Sequence, residues 1–228
     1  MSKPRRKPAS TAISSDLRII GGTFGGRKLC YHGDPLTRPM KHRVREAIFN
    51  LVSTECTGRH AIDLFAGTGA LGLEALSRGA VGATFIEKHV PTARVVAENM
   101  ASLEVDDRSS LLTTSAFLWA KRDLAPEAAA VKSDKPVVAS SSFPLPPFDT
   151  PWLVFCSPPY AFFVERQEEM LALIGTVIDR APQGSIFLVE ADGRFNFQQL
   201  PGGVAEEKGQ AGWDVRTYSP AVVGVWRK

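Results

Sequence analysis

The stretch from residue 61 to residue 80 constrains the fold of this chain more than any other. It begins with the apolar run Ala61-Ile62-Asp63-Leu64, continues through the glycine turn Gly67-Thr68-Gly69, and ends with apolar residues at helical spacing. This order predicts a strand, a tight turn and a helix. Glycines in the turn permit positive φ and let a ligand approach the backbone, and the first N–H groups of the helix point into the same crevice. We therefore expect a nucleotide-like ligand at this turn.

Two acidic residues near the turn favour one class of ligand. The pattern Gly67-x-Gly69-x-x-Gly72 alone is shared by dinucleotide-binding and adenosyl-binding sheets. Asp63 is placed to bind a cationic amino-acid group, and Glu87, which ends the next apolar run, is placed to accept from both ribose hydroxyls. An uncharged turn between two acids suits S-adenosylmethionine better than a pyrophosphate. The predicted cofactor-binding residues are Asp63, Phe65, Ala66, Gly67, Thr68, Gly69, Glu87, Lys88, Ser115 and Ala116.

Strand-like and helix-like segments alternate along the rest of the chain. The strand-like runs after the turn lie at residues 83–86, 110–114, 152–156, 185–190, 213–218 and 222–226. Helical patterns fill residues 91–103 and 170–180, and the last two strands form a hairpin. This order predicts an α/β protein with a doubly wound, seven-stranded sheet that has one antiparallel strand. Ser115, directly after the third strand, either hydrogen-bonds an adenine amine or caps the next helix.

A second chemical motif follows the strand at 152–156. The run Ser157-Pro158-Pro159-Tyr160 is a stiff turn that ends in an aromatic ring. Such a turn can hold carbonyl oxygens beside a planar amine while the tyrosine stacks on the base that carries the amine. We therefore predict that Ser157, Pro158, Pro159 and Tyr160 are catalytic. Glu190, at the end of a later strand, is expected to cap that strand or to be solvated.

Basic residues are concentrated at the start of the chain. The net charge is +3, yet residues 1–45 contain eleven Lys or Arg and only two acids. Such an arm on a mildly acidic body indicates a polyanionic partner, although the arginines of the helix at 41–52 could serve only to solubilise it. Residues 17–31 predict a small β-hairpin. The predicted RNA-binding residues are Arg18, Arg27, Lys28, Arg38, Lys41, Arg43 and Arg45.

Composition excludes several classes of protein. The three cysteines have no C-x-x-C spacing, so we predict neither a disulfide framework nor a metal site. No run approaches the roughly 18 apolar residues of a membrane span, and no apolar signal core precedes the hairpin, so a cytoplasmic protein is expected. The default oligomeric state is a monomer. Residues 122–150 are of low complexity and are expected to form a flexible insertion.

Taken together, these motifs resemble the RsmD family of bacterial 16S rRNA guanine-N2 methyltransferases. The resemblance lies in Arg18-Ile19-Ile20-Gly21-Gly22, Gly26-Arg27-Lys28-Leu29, Arg38-Pro39, the run 43–50, the run 63–80 and Pro158-Pro159-Tyr160. It implies a class I methyltransferase (Rossmann-like) fold with a small N-terminal β-hairpin extension, S-adenosylmethionine as cofactor, and 16S rRNA, in the 30S subunit or an assembly intermediate, as partner. With the composition of the first residues, which predicts a disordered basic tail (1–16), the expected organisation continues with an RNA-facing hairpin and helix (17–52) and a methyltransferase domain (53–228).

The chain departs from the family pattern before the Pro-Pro turn. Family members have Asp or Asn there, whereas this chain has Ser157, which is shorter and uncharged. Ser157 therefore keeps open a catalytically weak or inactive RNA-binding assembly factor. Two other functions also stay open: an NAD-dependent oxidoreductase built on the glycine pattern, and a methyltransferase for an adenine N6 or DNA amine. The oxidoreductase leaves the basic arm and the Pro-Pro turn unexplained.

Overall fold

A computed structural model describes residues 17–32, 40, 42–124, 144–207 and 209–228. Seven strands in these residues form one sheet in the order β3-β2-β1-β4-β5-β7-β6. The strands are β1 (His60–Asp63), β2 (Gly82–Ile86), β3 (Ser109–Leu112), β4 (Trp152–Cys156), β5 (Ile186–Asp192), β6 (Asp214–Tyr218) and β7 (Ala221–Arg227). Neighbouring strands are parallel except that β7 runs antiparallel to both β5 and β6. The predicted α/β sheet of seven strands with one antiparallel strand is confirmed.

Helices cover both faces of the sheet. In the described part of the chain they are α1 (His42–Val52), α2 (Ala70–Ser77), α3 (Val90–Ser102), α4 (Ala116–Trp119), α5 (Phe162–Glu165) and α6 (Gln167–Arg180). Side chains alternate between the faces of a strand, so Leu153 and Phe155 of β4 join the core under α1, α2 and α3. Val154 joins the second core, which contains α4 and α6. The sheet is thus doubly wound, as predicted.

The N-terminal segment forms a hairpin-like turn that packs on the first of these cores. Arg18 and Lys28 make an antiparallel bridge, and the Ile19 N–H donates to the Arg27 carbonyl at 3.0 Å. Leu17, Ile19 and Leu29 are buried in the same apolar cluster as α1 and β1. The hairpin is therefore attached to the sheet domain through apolar burial.

Most predicted boundaries lie within three residues of the observed ones. The third strand begins one residue earlier than predicted and ends at Leu112, and α6 begins at Gln167 rather than at residue 170. Of the predicted insertion, residues 125–143 lie outside the described residues. Its last residues pack against the sheet, since the Trp152 indole N–H donates to the Pro147 carbonyl at 2.7 Å and Phe148 contacts the Trp152 ring.

Candidate active site

A cavity of about 700 Å³ opens at the carboxyl ends of the parallel strands. It lies between the turn after β1 and the turn after β4, where the winding of the sheet changes direction, the usual ligand position in an open α/β sheet. The residues that line it are Met40, Val44, Leu64, Phe65, Ala66, Gly67, Thr68, Ala70, Leu71, Ile86, Glu87, Lys88, His89, Thr114, Ser115, Ala116, Phe117, Ser157, Pro158, Pro159, Tyr160, Phe162, Glu190, Pro220 and Ala221. The two predicted motifs thus face one chamber.

The glycine turn after β1 needs glycine for two different reasons. Gly67 and Gly69 have φ values of 55° and 79°, in the left-handed region that other residues rarely adopt. Gly72 has ordinary backbone angles, but a Cβ there would lie 2.3 Å from Cε1 of Phe85 on β2. The first two glycines therefore shape the turn, and the third lets α2 approach the sheet.

Glu87 is fixed at the end of β2 by main-chain donors. Its carboxylate accepts from the Gly67 N–H at 3.0 Å and from the His89 N–H at 2.8 Å. An ionised carboxylate has about four acceptor positions, so about two remain for a ligand. Glu87 can therefore bind a pair of ligand hydroxyls without losing its own support.

Asp63 differs from its predicted place because it does not line the cavity. It is buried below the turn, where one carboxylate oxygen accepts from the Gly72 N–H at 3.3 Å. The other oxygen, Oδ1, has no hydrogen-bond partner of normal geometry among the described residues. Burial raises the pKa of Asp63 to about 7, and the negative charge of Glu87 adds to this effect. In this position Asp63 supports the turn from beneath.

Eight of the ten predicted cofactor residues line the cavity. The exceptions are Asp63 and Gly69. Ser115 precedes α4 but makes no side-chain capping hydrogen bond, so the structure offers no support for its capping role. Contact between any of these residues and a cofactor stays a prediction.

Asn99 is a supporting residue that the sequence did not reveal. It is fully buried on α3, and its amide donates to the Thr68 carbonyl at 2.9 Å. The same side chain exchanges hydrogen bonds with the main chain of Cys30, at 2.6 and 3.2 Å. Asn99 therefore connects the glycine turn to the N-terminal hairpin, which are 31 and 69 residues distant from it in sequence.

A buried carboxylate of β5, Glu190, lies against the Pro-Pro turn after β4, and its role was assigned wrongly from sequence. Glu190 is 5% exposed and accepts hydrogen bonds from the Tyr160 hydroxyl, at 2.6 Å, and from the Ser157 hydroxyl. The expectation of a capping or solvated glutamate is wrong, because β5 lies directly beside β4 and its end faces the turn. The sequence signal that could have indicated a site residue was the position of Glu190 near the carboxyl end of a central strand, where ligands bind in such sheets.

An aromatic wall closes one side of the chamber. The rings of Phe65, Phe117 and Phe162 contact one another, with centroids 5.9 to 6.2 Å apart. The Arg166 guanidinium lies 4.2 Å from the centroid of Phe117, and the Lys88 ammonium lies 5.7 Å from that of Phe162. This wall is apolar toward the cavity, with cations against its rings. Phe117 and Phe162 were not predicted as site residues.

The seven predicted RNA-binding residues differ in their exposure to solvent. Arg27, Lys28 and Arg43 are exposed, and Arg18 is half-buried with its guanidinium donating to the Gly26 carbonyl at 3.0 Å. The prediction for Arg45 is wrong. Arg38 and Lys41 lie outside the described residues.

Arg45 is 1% exposed, so it cannot contact RNA. Its guanidinium donates to the Arg18 carbonyl and lies 3.9 Å from the carboxylate of the fully buried Glu74. Burial lowers the pKa of Arg45, and Glu74 opposes that effect. Arg45 stabilises the attachment of the hairpin instead.

Neither a metal cluster nor a membrane span occurs in the described ranges. No group of three or more His, Cys, Asp or Glu side chains there could hold a metal ion. No helix in those ranges is both long enough and apolar enough to cross a bilayer.

The strand order, the antiparallel seventh strand and a site beside β1 and β4 define the class I methyltransferase fold. The chain belongs to the family described as Conserved hypothetical protein 95, whose model matches residues 17–208, and the resemblance to the RsmD family is thereby confirmed.

Relatives and solved structures agree with this assignment. The Escherichia coli protein named Ribosomal RNA small subunit methyltransferase D is 46% identical over 91 residues, which are 40% of this chain and 46% of the relative. A Haemophilus influenzae protein of the same name is 38% identical over 113 residues, which are 46% of this chain and 58% of the relative. The chain spans about half the length of the curated relatives it matches.

The structural matches extend over more of the chain. The E. coli protein yhhF is 25% identical, covers 92% of this chain and 97% of its own, and has a TM-score of 0.65. The Thermus thermophilus 16S rRNA methyltransferase RsmC, in complex with AdoMet and guanosine, is 16% identical, with a TM-score of 0.55 over 86% of this chain and 44% of its own. This last likeness concerns the fold alone.

Proposed function

We propose that this protein is an S-adenosylmethionine-dependent methyltransferase that modifies the exocyclic N2 amine of a guanine in 16S rRNA. The observation that carries the proposal is the single chamber that joins the glycine turn and Glu87 to the Pro-Pro turn and Tyr160. Relatives named as small-subunit rRNA methyltransferases support the substrate.

The residues on the β1–β2 side fit an adenosyl cofactor. Gly67 presents uncharged main chain to the cavity, and Glu87 retains acceptor positions for ribose hydroxyls. The cavity volume of about 700 Å³ lies within the range of about 300–1,000 Å³ that is usual for small-molecule sites. When bound, S-adenosylmethionine supplies an electrophilic methyl group.

On the β4–β5 side, the residues suit a flat base with an amine. Tyr160 offers a ring for stacking, and its hydroxyl is held by Glu190 at 2.6 Å. The Ser157 hydroxyl donates to Glu190, so its lone pairs remain free to accept from the amine, together with the Pro158 carbonyl. Acceptors in the plane of the base leave the nitrogen lone pair directed out of that plane. Alignment of two bound reactants is worth up to about 7–11 kcal/mol in favourable cases.

The proposed RNA surface consists of the exposed cations of the N-terminal segment. Arg27, Lys28 and Arg43 are exposed, and the neighbours Met40 and Val44 line the cavity. The start of α1 thus connects the basic face with the chamber. Contacts between cations and phosphates position RNA without reading its sequence.

The proposal is tested by methyl transfer from labelled S-adenosylmethionine to deproteinised 16S rRNA, 30S particles and DNA in parallel, followed by nucleoside analysis. We expect N2-methylguanosine from 16S rRNA. Glu87→Gln should raise KM for S-adenosylmethionine by about tenfold, since it replaces a charged acceptor, whereas the exposed Glu168→Gln serves as a matched control. RNA binding without cofactor binding would indicate an assembly factor, and N6-methyladenosine would indicate a different acceptor.

A further inference from the structure

Glu190 is a buried carboxylate that faces the reaction chamber and has no counter-ion among the described residues. It is 5% exposed and lines the cavity beside the Pro-Pro turn. None of the ion pairs between described residues includes it. Removal of a carboxylate from water is costly unless donors replace the water. Two hydroxyl donors replace part of that water at Glu190, and a ligand with further donors can replace the rest.

The hydrogen bonds of Glu190 leave acceptor positions on both carboxylate oxygens. Oε1 accepts from the Tyr160 hydroxyl at 2.6 Å, and Oε2 accepts from the Ser157 hydroxyl. An ionised carboxylate has about four acceptor positions, so each oxygen retains about one. The two hydroxyl groups orient the carboxylate, and each oxygen keeps an acceptor position for a ligand donor.

We infer that Glu190 reads the guanine base, by accepting hydrogen bonds from N1–H and from one N2 hydrogen. This inference rests on the proposed function. Guanine presents two adjacent donors on this edge, which match two parallel carboxylate acceptors. Adenine presents one donor, N6–H, next to the unprotonated N1, whose lone pair would face a carboxylate oxygen. Unpaired buried acceptors disfavour the wrong base strongly, so Glu190 selects guanine over adenine.

This role also accounts for Ser157. A serine in place of Asp or Asn removes a carboxylate or amide acceptor from the Pro-Pro turn, but β5 supplies a carboxylate beside the turn. Ser157 and Tyr160 then act as positioning residues that hold Glu190 in the plane of the base. The carboxylate then has the specificity role, while the turn keeps the stacking contact and accepts from the second N2 hydrogen.

The test compares guanosine with 2-aminopurine riboside, which keeps the N2 amine but has an unprotonated N1. Binding is measured by NMR titration on protein saturated with S-adenosylhomocysteine. Wild type should prefer guanosine by about 10- to 100-fold, the discrimination expected for a charged hydrogen bond. In Glu190→Gln the preference should vanish or reverse, because the amide can donate to N1. Ser157→Ala/Tyr160→Phe, which keeps the carboxylate but removes the two hydroxyls that hold it, should show a preference for guanosine smaller than that of wild type but larger than that of Glu190→Gln.

Several outcomes would overturn the inference. One is a wild type that binds S-adenosylhomocysteine but does not prefer guanosine. Another is an unchanged preference in Glu190→Gln, which would leave the carboxylate a structural role only. If Glu190→Gln does not fold, Glu190→Asp is used instead. Its shorter side chain should weaken guanosine binding at least about threefold, while the affinity for S-adenosylhomocysteine is retained. An unchanged affinity for guanosine in Glu190→Asp contradicts the inference.

The same proteins separate this inference from the proposed function. Methyl transfer to 16S rRNA is measured in parallel, with Glu168→Gln as the matched surface control. A wild type that methylates no RNA refutes the proposed function. A wild type that forms N2-methylguanosine, with Glu190→Gln at least one third as active, supports the proposed function and refutes the role of Glu190.

Discussion

Substitution of Glu74 tests how the N-terminal hairpin is attached to the sheet domain. This fully buried carboxylate on α2 accepts from the N–H groups of Ile20 and Gly21, at 2.7 and 2.8 Å. It also pairs with Arg78 at 2.9 Å and lies 3.9 Å from the guanidinium of Arg45. Glu74→Gln keeps the shape of the side chain but removes the negative charge from a site that contains two cations.

The expected cost follows from the burial of the two arginines. Arg78 is 19% exposed and can regain water, whereas Arg45 is 1% exposed and would remain a buried cation without a counter-ion. Breaking one side of a buried ion pair costs about 3–5 kcal/mol. For a chain of this length, each kcal/mol shifts Tm by roughly 2–4 °C, so a decrease of roughly 6–20 °C is expected.

A double-mutant cycle distinguishes the buried charge from general loss of packing. Arg45→Met alone should be milder, because Glu74 keeps Arg78 and both N–H donors. Arg45→Met/Glu74→Gln should be more stable than the sum of the two single changes implies, by about 1–3 kcal/mol. Hydrogen exchange should also accelerate in a peptide that covers residues 17–32.

Thermal and urea unfolding measure these effects, with the exposed Glu168→Gln as control. A decrease in Tm no larger than that of the control, or strict additivity in the cycle, would refute the electrostatic account of the hairpin attachment.

Three further predictions concern stability and RNA binding. The neutral form of Asp63 stabilises the fold below its unfolded pKa of 3.8, and this stability is lost as pH rises through about 7. The free energy of unfolding of Asp63→Asn, relative to that of wild type, should therefore rise by about 2–4 kcal/mol from acid to mildly alkaline pH when both are unfolded without cofactor. A difference that does not change with pH would contradict the raised pKa of Asp63. Asn99→Ala should cost about 2–4 kcal/mol through unpaired main-chain groups in the glycine turn and the hairpin, whereas the exposed Asn50→Ala should be near neutral in the same experiment. Arg27→Glu/Lys28→Glu should weaken binding of deproteinised 16S rRNA and reduce the log–log salt slope by about 1.5 at unchanged S-adenosylmethionine affinity; an unchanged slope in filter binding would exclude this face from RNA contact.

Local patterns in the sequence were sufficient for the architecture. The turn at 67–69 requires glycine because of its backbone angles, and the alternating apolar runs have the length of buried parallel strands. Pro158-Pro159 limits the main chain after β4 to few conformations. Each of these signals acts over a few residues, so none depends on knowledge of distant contacts.

Buried polar groups required the tertiary structure. Arg45, Phe49 and Val52 share one helix face, so an inward direction for Arg45 was readable, but its counter-ion Glu74 lies on another helix. Glu190 likewise depends on the pairing of β4 with β5.

The sequence alone therefore determined the strand–turn–helix unit, the seven-stranded sheet and the two motifs that face the cavity, because these follow from short-range sterics and hydrophobic periodicity. The tertiary structure decided which charged side chains are buried and what they bind, because the energy of a buried charge depends on donors and cations that folding brings from distant parts of the chain.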